Sequence, residues 1–128
     1  MNPLTREWIE KAEGDFSTAG REVRARKTPN YDAACFHAQQ CAEKYLKSIL
    51  QEWNIPFGKT HNLIALLETL LPRDPSWEEV RPHLDFLTVF AVLFRYPGES
   101  ADKEIAREAY KHCQAIRKKA RAALGFSD

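Results

Sequence analysis

Residues 31–53, YDAACFHAQQCAEKYLKSILQEW, form the stretch on which the fold turns. At about 100° per residue, Cys41, Ala34, Tyr45, Ala38, Ile49, Ala42, Trp53, Cys35 and Leu46 share an arc of roughly 140°. Leu50 and Phe36 widen that arc on either side of Glu43. A surface helix has a narrower stripe, so the spacing predicts a long helix over Tyr31–Trp53 that neighbours cover on more than one side. Lys47, Gln40, Gln51, Lys44, His37 and Ser48 make up its expected wet face. Glu43 does not fit the pattern. A carboxylate beneath Phe36 and Leu50 requires a partner, which makes it the first candidate for function.

Working outward, Asn2 reads as an N-cap and Pro3 as the first helical residue of a helix over Met1–Arg26. Leu4, Trp8, Ala12, Phe16, Ala19 and Val23 form its expected core stripe. Arg21, Arg24, Arg26 and Lys27 crowd its C-terminal end, where cations favour the helix dipole; phosphate binding is the other use of such a cluster. Thr28-Pro29-Asn30 is a turn with Asn30 as the next cap. Past Asn54–Gly58, the residues Leu63, Ile64, Leu66, Leu67, Leu70 and Leu71 mark a short apolar helix with His61 at its start, stopped by Pro72. Ser76-Trp77-Glu78-Glu79 has the spacing of a capping box. The helix it opens is bent or divided at Pro82. Leu84–Phe94 is nearly all apolar and requires cover on all sides, in part from a second copy of the chain. Pro97 and Gly98 end that segment, Ser100 reads as the next cap, and Ile105, Ala109, Cys113, Ile116, Ala120 and Leu124 line a last helix from Ala101 until Gly125, with Arg117, Lys118, Lys119 and Arg121 as its basic tail. No segment alternates with period two. The architecture expected is all-α, an up-and-down helical bundle of four principal helices and one short helix, as a single domain over residues 1–128.

Composition excludes more than it selects. With 19 Lys plus Arg against 18 Asp plus Glu, bulk charge drives the chain toward neither nucleic acid nor membrane, and any basic surface is local. No run approaches a membrane span or a secretory leader, so a cytoplasmic location is expected. Cys35, Cys41 and Cys113 stand without CxxC or Cys/His spacing and read as buried thiols; no metal site or cofactor is expected. Phosphate loops, HExxH and GxSxG are missing. The aromatic residues fall at core spacing, which gives a base-stacking platform little support. Glu43 and Lys47 are placed for an ion pair one turn apart, and Glu43 could equally orient a cation from another helix. Arg95, leaving the most apolar segment on a tight turn, is the best such cation; its other reading is a charge compensating a helix C-terminus.

These residues also carry a resemblance. Trp8, Ala12 and Asp15-Phe16, the phrase Ala34–Lys47, then Thr60-His61-Asn62-Leu63 and Arg95-Tyr96-Pro97 together resemble the HEPN domain over nearly the whole chain. The resemblance implies a homodimer that works beside a minimal nucleotidyltransferase in a toxin and antitoxin style system. It also implies nucleotide or RNA binding, with Glu43, Lys47, His61, Arg95 and Tyr96 as the site. Many members are metal-independent endoribonucleases whose motif is an arginine followed four to six residues later by a histidine. Arg95 matches that arginine, but Glu99, Ser100 and Ala101 occupy the histidine positions, and none is an imidazole acid or base. The endoribonuclease is therefore the alternative reading, with His61 or His112 brought in by the fold as proton carrier.

Overall fold

In the computed structural model, which describes residues 1–127, the chain is all-helical. Residue 128 of the expected domain lies outside that range. The helices are α1 (Pro3–Arg24), α2 (Tyr31–Glu52), α3 (Leu63–Leu70), α4 (Arg81–Leu87) and α5 (Lys103–Ala123), with 3-10 turns at Pro75–Val80 and Thr88–Ala91 on either side of α4. Helix α2 packs against every other helix, as its wide apolar arc requires. Ala34, Cys35, Ala38, Cys41, Ala42, Tyr45, Leu46, Ile49 and Leu50 are all buried.

The ends of the long helices follow from local chemistry. Asn2 and Asn30 accept backbone N–H groups from Leu4 and Ala33 at 2.8 and 2.9 Å, and so cap α1 and α2. At the C-terminus of α2, Asn54 adopts φ 55°, while Ile55 N–H reaches the Leu50 carbonyl and Asn54 N–H that of Gln51. This is a Schellman closure built on Asn. Gly125, at φ 89°, closes α5 in the same way through Phe126 and Arg121.

Several expectations of detail are corrected. The buried stripe of α1 is Thr5, Ile9, Ala12, Asp15, Ala19 and Gly20; it shares Ala12 and Ala19 with the one expected, Phe16 and Val23 pack half-buried against the core, and Leu4 is exposed. Asp15 can go inside because the Lys44 ammonium and the His37 ring on α2 meet its two oxygens. For the same reason Lys47 and Ser48, expected on the wet face of α2, are buried: Lys47 meets Glu43, and Ser48 Oγ donates to the Tyr45 carbonyl at 2.6 Å. Asp74, not Ser76, caps the turn at Pro75, and Asp102, not Ser100, caps α5. A carboxylate accepts from the orphan N–H groups at a helix start more strongly than a hydroxyl.

The fourth segment is divided. Pro82 stands in the first turn of α4, where its missing N–H costs nothing, and the helix gives way to the 3-10 turn at Thr88. Thr88 Oγ1 accepts the Leu63 N–H at 3.0 Å, tying this turn to α3. Val89 in this turn and Val92 and Leu93 beyond it are 47%, 60% and 41% exposed, so the apolar run is covered within the chain only in part. No helix among the described residues is long and apolar enough to cross a membrane. All three cysteines are free and buried, and desolvation pushes the Cys35 thiol up to about 12.

Candidate functional site

Glu43 is 3% exposed and collects four donors. Lys47 Nζ lies 3.1 Å from Oε2, while Oε1 faces His61 Nδ1 at 3.0 Å, Gln39 Nε2 at 3.3 Å and Gln40 Nε2 at 3.4 Å. Gln39 Nε2 also donates to the His61 carbonyl at 3.0 Å, so the loop before α3 is stitched to α2 twice. These bonds compensate a carboxylate taken out of water. The partner expected for it, the guanidinium of Arg95, is not among them. Lys47 is sealed between Glu43 and the Trp8 ring, 5.5 Å below its ammonium. The His61 side chain is 71% exposed and is the member of the group that faces solvent.

Arg95 occupies a different place. It lines a cavity of about 400 Å³ together with Asn30, Asp32, Phe36, His37, Phe90 and Phe94. Its own turn positions it: the Arg95 N–H bonds to the Val92 carbonyl at 3.2 Å, Phe94 packs onto the core, and Gly98 at φ 114° supplies a conformation other residues avoid. The far wall is the start of α2, held to the loop by Asp32 Oδ1, which accepts the Ala101 N–H at 2.7 Å. Arg95 joins no ion pair among the described residues. Tyr96, beside it, is 73% exposed.

The cavity is more aromatic than the spacing suggested. Phe90 and Phe94 stack with centroids 5.5 Å apart, and Phe36 faces the same space. Their core periodicity hid this, because a side chain can pack on the core with one face and line a cleft with the other.

The cavity also holds a histidine that sequence reasoning assigned to a wet face. His37 Nδ1 lies 2.7 Å from Asp15 Oδ1, and Lys44 Nζ lies 2.6 Å from Asp15 Oδ2. A carboxylate only accepts, so Nδ1 is the donor to Asp15, and in the neutral ring Nε2 is an acceptor. The signal was present: Asp15 lies three residues after Ala12 and four before Ala19, on the buried face of α1.

His61 and His112, the two histidines considered for Arg95, do not line its cavity. His112 instead pairs with His83, Nδ1 to Nδ1, at 2.8 Å, and burial followed by the neighbouring His83 lowers its pKa. Among the described residues no group of three or more His, Cys, Asp or Glu could hold a metal ion.

Residues 5–123 match the family model of the HEPN domain. A crystal structure of an archaeal HEPN homologue superposes with a TM-score of 0.74 at 25% identity, covering 92% of this chain and 95% of that one. Comparison with curated proteins returns no match.

Proposed function

The chain belongs to the HEPN domain family, and from that premise we propose that residues 1–128 form one cytoplasmic domain that acts as a homodimer and receives a nucleotide or an RNA phosphate in the Arg95 cavity. The observation that carries this reading is a guanidinium without a carboxylate partner at the mouth of an aromatic cavity. Arg95 offers paired donors to a phosphate, Phe36, Phe90 and Phe94 offer faces to a base, and the second oxygen of Asp32 can accept a ribose hydroxyl. Tyr96 follows Arg95 in the chain and is exposed. Glu43 and Lys47 act one step back, by holding His61 and its loop. Val89, Val92, Leu93 and Tyr96, exposed next to Arg95, are the surface through which two copies would meet. The family resemblance supports a minimal nucleotidyltransferase as partner in a toxin and antitoxin style system.

Calorimetric titration of the protein with uridine monophosphate and a short oligouridylate tests the cavity. Arg95→Ala should weaken both at least tenfold, the loss of one charge-assisted contact being worth about 1.5–3 kcal/mol. Unchanged affinities would end this reading.

A metal-independent endoribonuclease is the second reading, and His37 favours it, because it supplies in this cavity the imidazole missing after Arg95. His37 Nε2 takes the proton of a ribose 2′-hydroxyl, whose oxygen attacks the adjacent phosphorus. The bond to the 5′ oxygen breaks and that oxygen leaves with a proton from solvent, giving a 2′,3′-cyclic phosphate. Arg95 stabilises the charge on the phosphoryl oxygens, and Asp15 orients the imidazole. Cleavage in chelator that yields cyclic ends and is lost in both His37→Ala and Arg95→Ala would establish it. Cleavage that survives either change would reject it.

A further inference from the structure

A second hollow, of about 740 Å³, opens behind the start of α2, and Arg24, Arg26, Pro29, Tyr31, Lys103 and Arg107 line it. The four cations come from two places far apart in sequence, the end of α1 and the first turns of α5. No acidic side chain lines the hollow, and none of the four joins an ion pair among the described residues. Some cations elsewhere are paired, Lys44 with Asp15, Arg81 with Glu68 and Glu78, Arg117 with Glu13 and Lys119 with Glu79; what sets the hollow apart is that four cations converge on one space with no carboxylate in its lining. With a net charge of only +1, a hollow bounded by four unpaired cations is a local arrangement and not an outcome of composition.

Compensation of the α1 dipole accounts for Arg24 but not for Lys103 and Arg107, which stand at the opposite, N-terminal end of α5. There the helix dipole disfavours cations, so their placement is not dipole compensation; Asp102 is the cap of this helix. Gly20 adds to the case. A Cβ at that position would lie 2.9 Å from Arg24 Nη1 and 3.0 Å from the Tyr110 hydroxyl. The glycine leaves room for the guanidinium to fold back over α1.

The two hollows share a wall. Pro29 and Tyr31 line the basic one, while Asn30, Asp32 and Ala33 line the Arg95 cavity. A polymer crossing this short ridge would present phosphates to both sides. From this we propose that the basic hollow is a second subsite, for backbone phosphates of a single-stranded RNA whose neighbouring nucleotide occupies the Arg95 cavity; the inference rests on the nucleotide- or RNA-binding reading of that cavity. Tyr31 offers a ring on which a base can stack. The ligand is then a strand of several nucleotides, not a mononucleotide.

Fluorescence anisotropy tests this with oligouridylates of increasing length, uridine monophosphate and inorganic triphosphate as probes. Affinity should rise with length up to the octamer. Arg24→Gln with Arg107→Gln should weaken octamer binding at least tenfold and leave the monophosphate unchanged. The same pair should lower the slope of log affinity against log salt by about 1.4, as expected for two lost single-strand phosphate contacts. Arg6→Gln with Lys11→Gln removes the same charge elsewhere and should leave the octamer within about twofold; thermal melts confirm that each variant folds. Octamer affinity and salt slope unchanged in the basic-hollow variant would overturn the proposal. So would triphosphate binding as tightly as the octamer, which marks a site for free polyphosphate. If the basic-hollow variant loses the octamer while Arg95→Ala binds every probe normally, the subsite stands and the reading of the Arg95 cavity falls.

Discussion

Lys47 Nζ lies 3.1 Å from Glu43 Oε2 with both side chains almost wholly out of water, one turn apart on the central helix. An exposed pair at this spacing contributes a few tenths of a kcal/mol. Buried, the pair is worth little as such, but loss of one member strands the other.

Glu43→Ala should therefore destabilise the fold by about 3–5 kcal/mol, the cost of an uncompensated buried charge. Glu43→Gln, which keeps an acceptor of the same size, should cost less. Urea unfolding measures both. A loss under about 1 kcal/mol for the alanine variant would mean that Lys47 finds another outlet.

Stability should fall on acidification through Glu13. Arg117 donates to its two oxygens at 2.7 and 2.8 Å, and Tyr45 donates to Oε2 at 2.5 Å. The hydrogen bonds from Arg117 are the largest influence and hold the carboxyl below its ordinary range, against a smaller upward push from burial. With the folded-state value depressed, the stabilisation is fully present above the ordinary carboxylate range and is lost as pH falls through the folded value. Glu13 is about one-third exposed, so solvent screening reduces the effect, and Glu13→Gln should cost about 1–2 kcal/mol at neutral pH. Melts from pH 7 to pH 3 should show a shallower decline for this variant than for the wild type. Parallel curves would place the acid sensitivity elsewhere.

Val92→Glu puts a charge on the most exposed aliphatic residue of the divided fourth segment, 60% exposed. Light scattering should give the wild-type chain twice the 14.8 kDa monomer mass and the variant the monomer mass, with unchanged helicity. A wild-type chain that is monomeric at micromolar concentration would remove the dimer.

Thr28 adopts φ 46°, a left-handed conformation that burdens a β-branched residue. Thr28→Gly should relieve more strain than it adds in unfolded-state entropy, a net gain of about 0.5–1 kcal/mol. The melting temperature should rise by a few degrees. A fall would mean that the threonine side chain makes a contribution larger than the strain.

Apolar periodicity carried most of the fold into view: the position of α2, the Asn2 and Asn30 caps, the break at Pro82 and the exposed residues near Val92 can all be read from spacing. What spacing could not convey was which polar residues go inside. Asp15, Lys47 and Ser48 look like surface residues until their partners are known, and those partners sit on other turns or other helices. The candidate site shows the same division. Glu43 was identifiable as a carboxylate under apolar cover, whereas its bond to His61 depends on how the loop before α3 returns to α2. That His37 and Arg95 share a cavity depends on tertiary approach alone, as does the convergence of Arg24 and Arg26 with Lys103 and Arg107.

The interruption of the fourth segment also bears on where the bundle opens first. Residues 88–99 are held by 3-10 and turn hydrogen bonds with half-covered side chains, so their amides should exchange with deuterated solvent through small local fluctuations, while those of α2 wait for global unfolding. Arg95 thus rides on a weakly protected part of the molecule, and a ligand that captured it would slow exchange there.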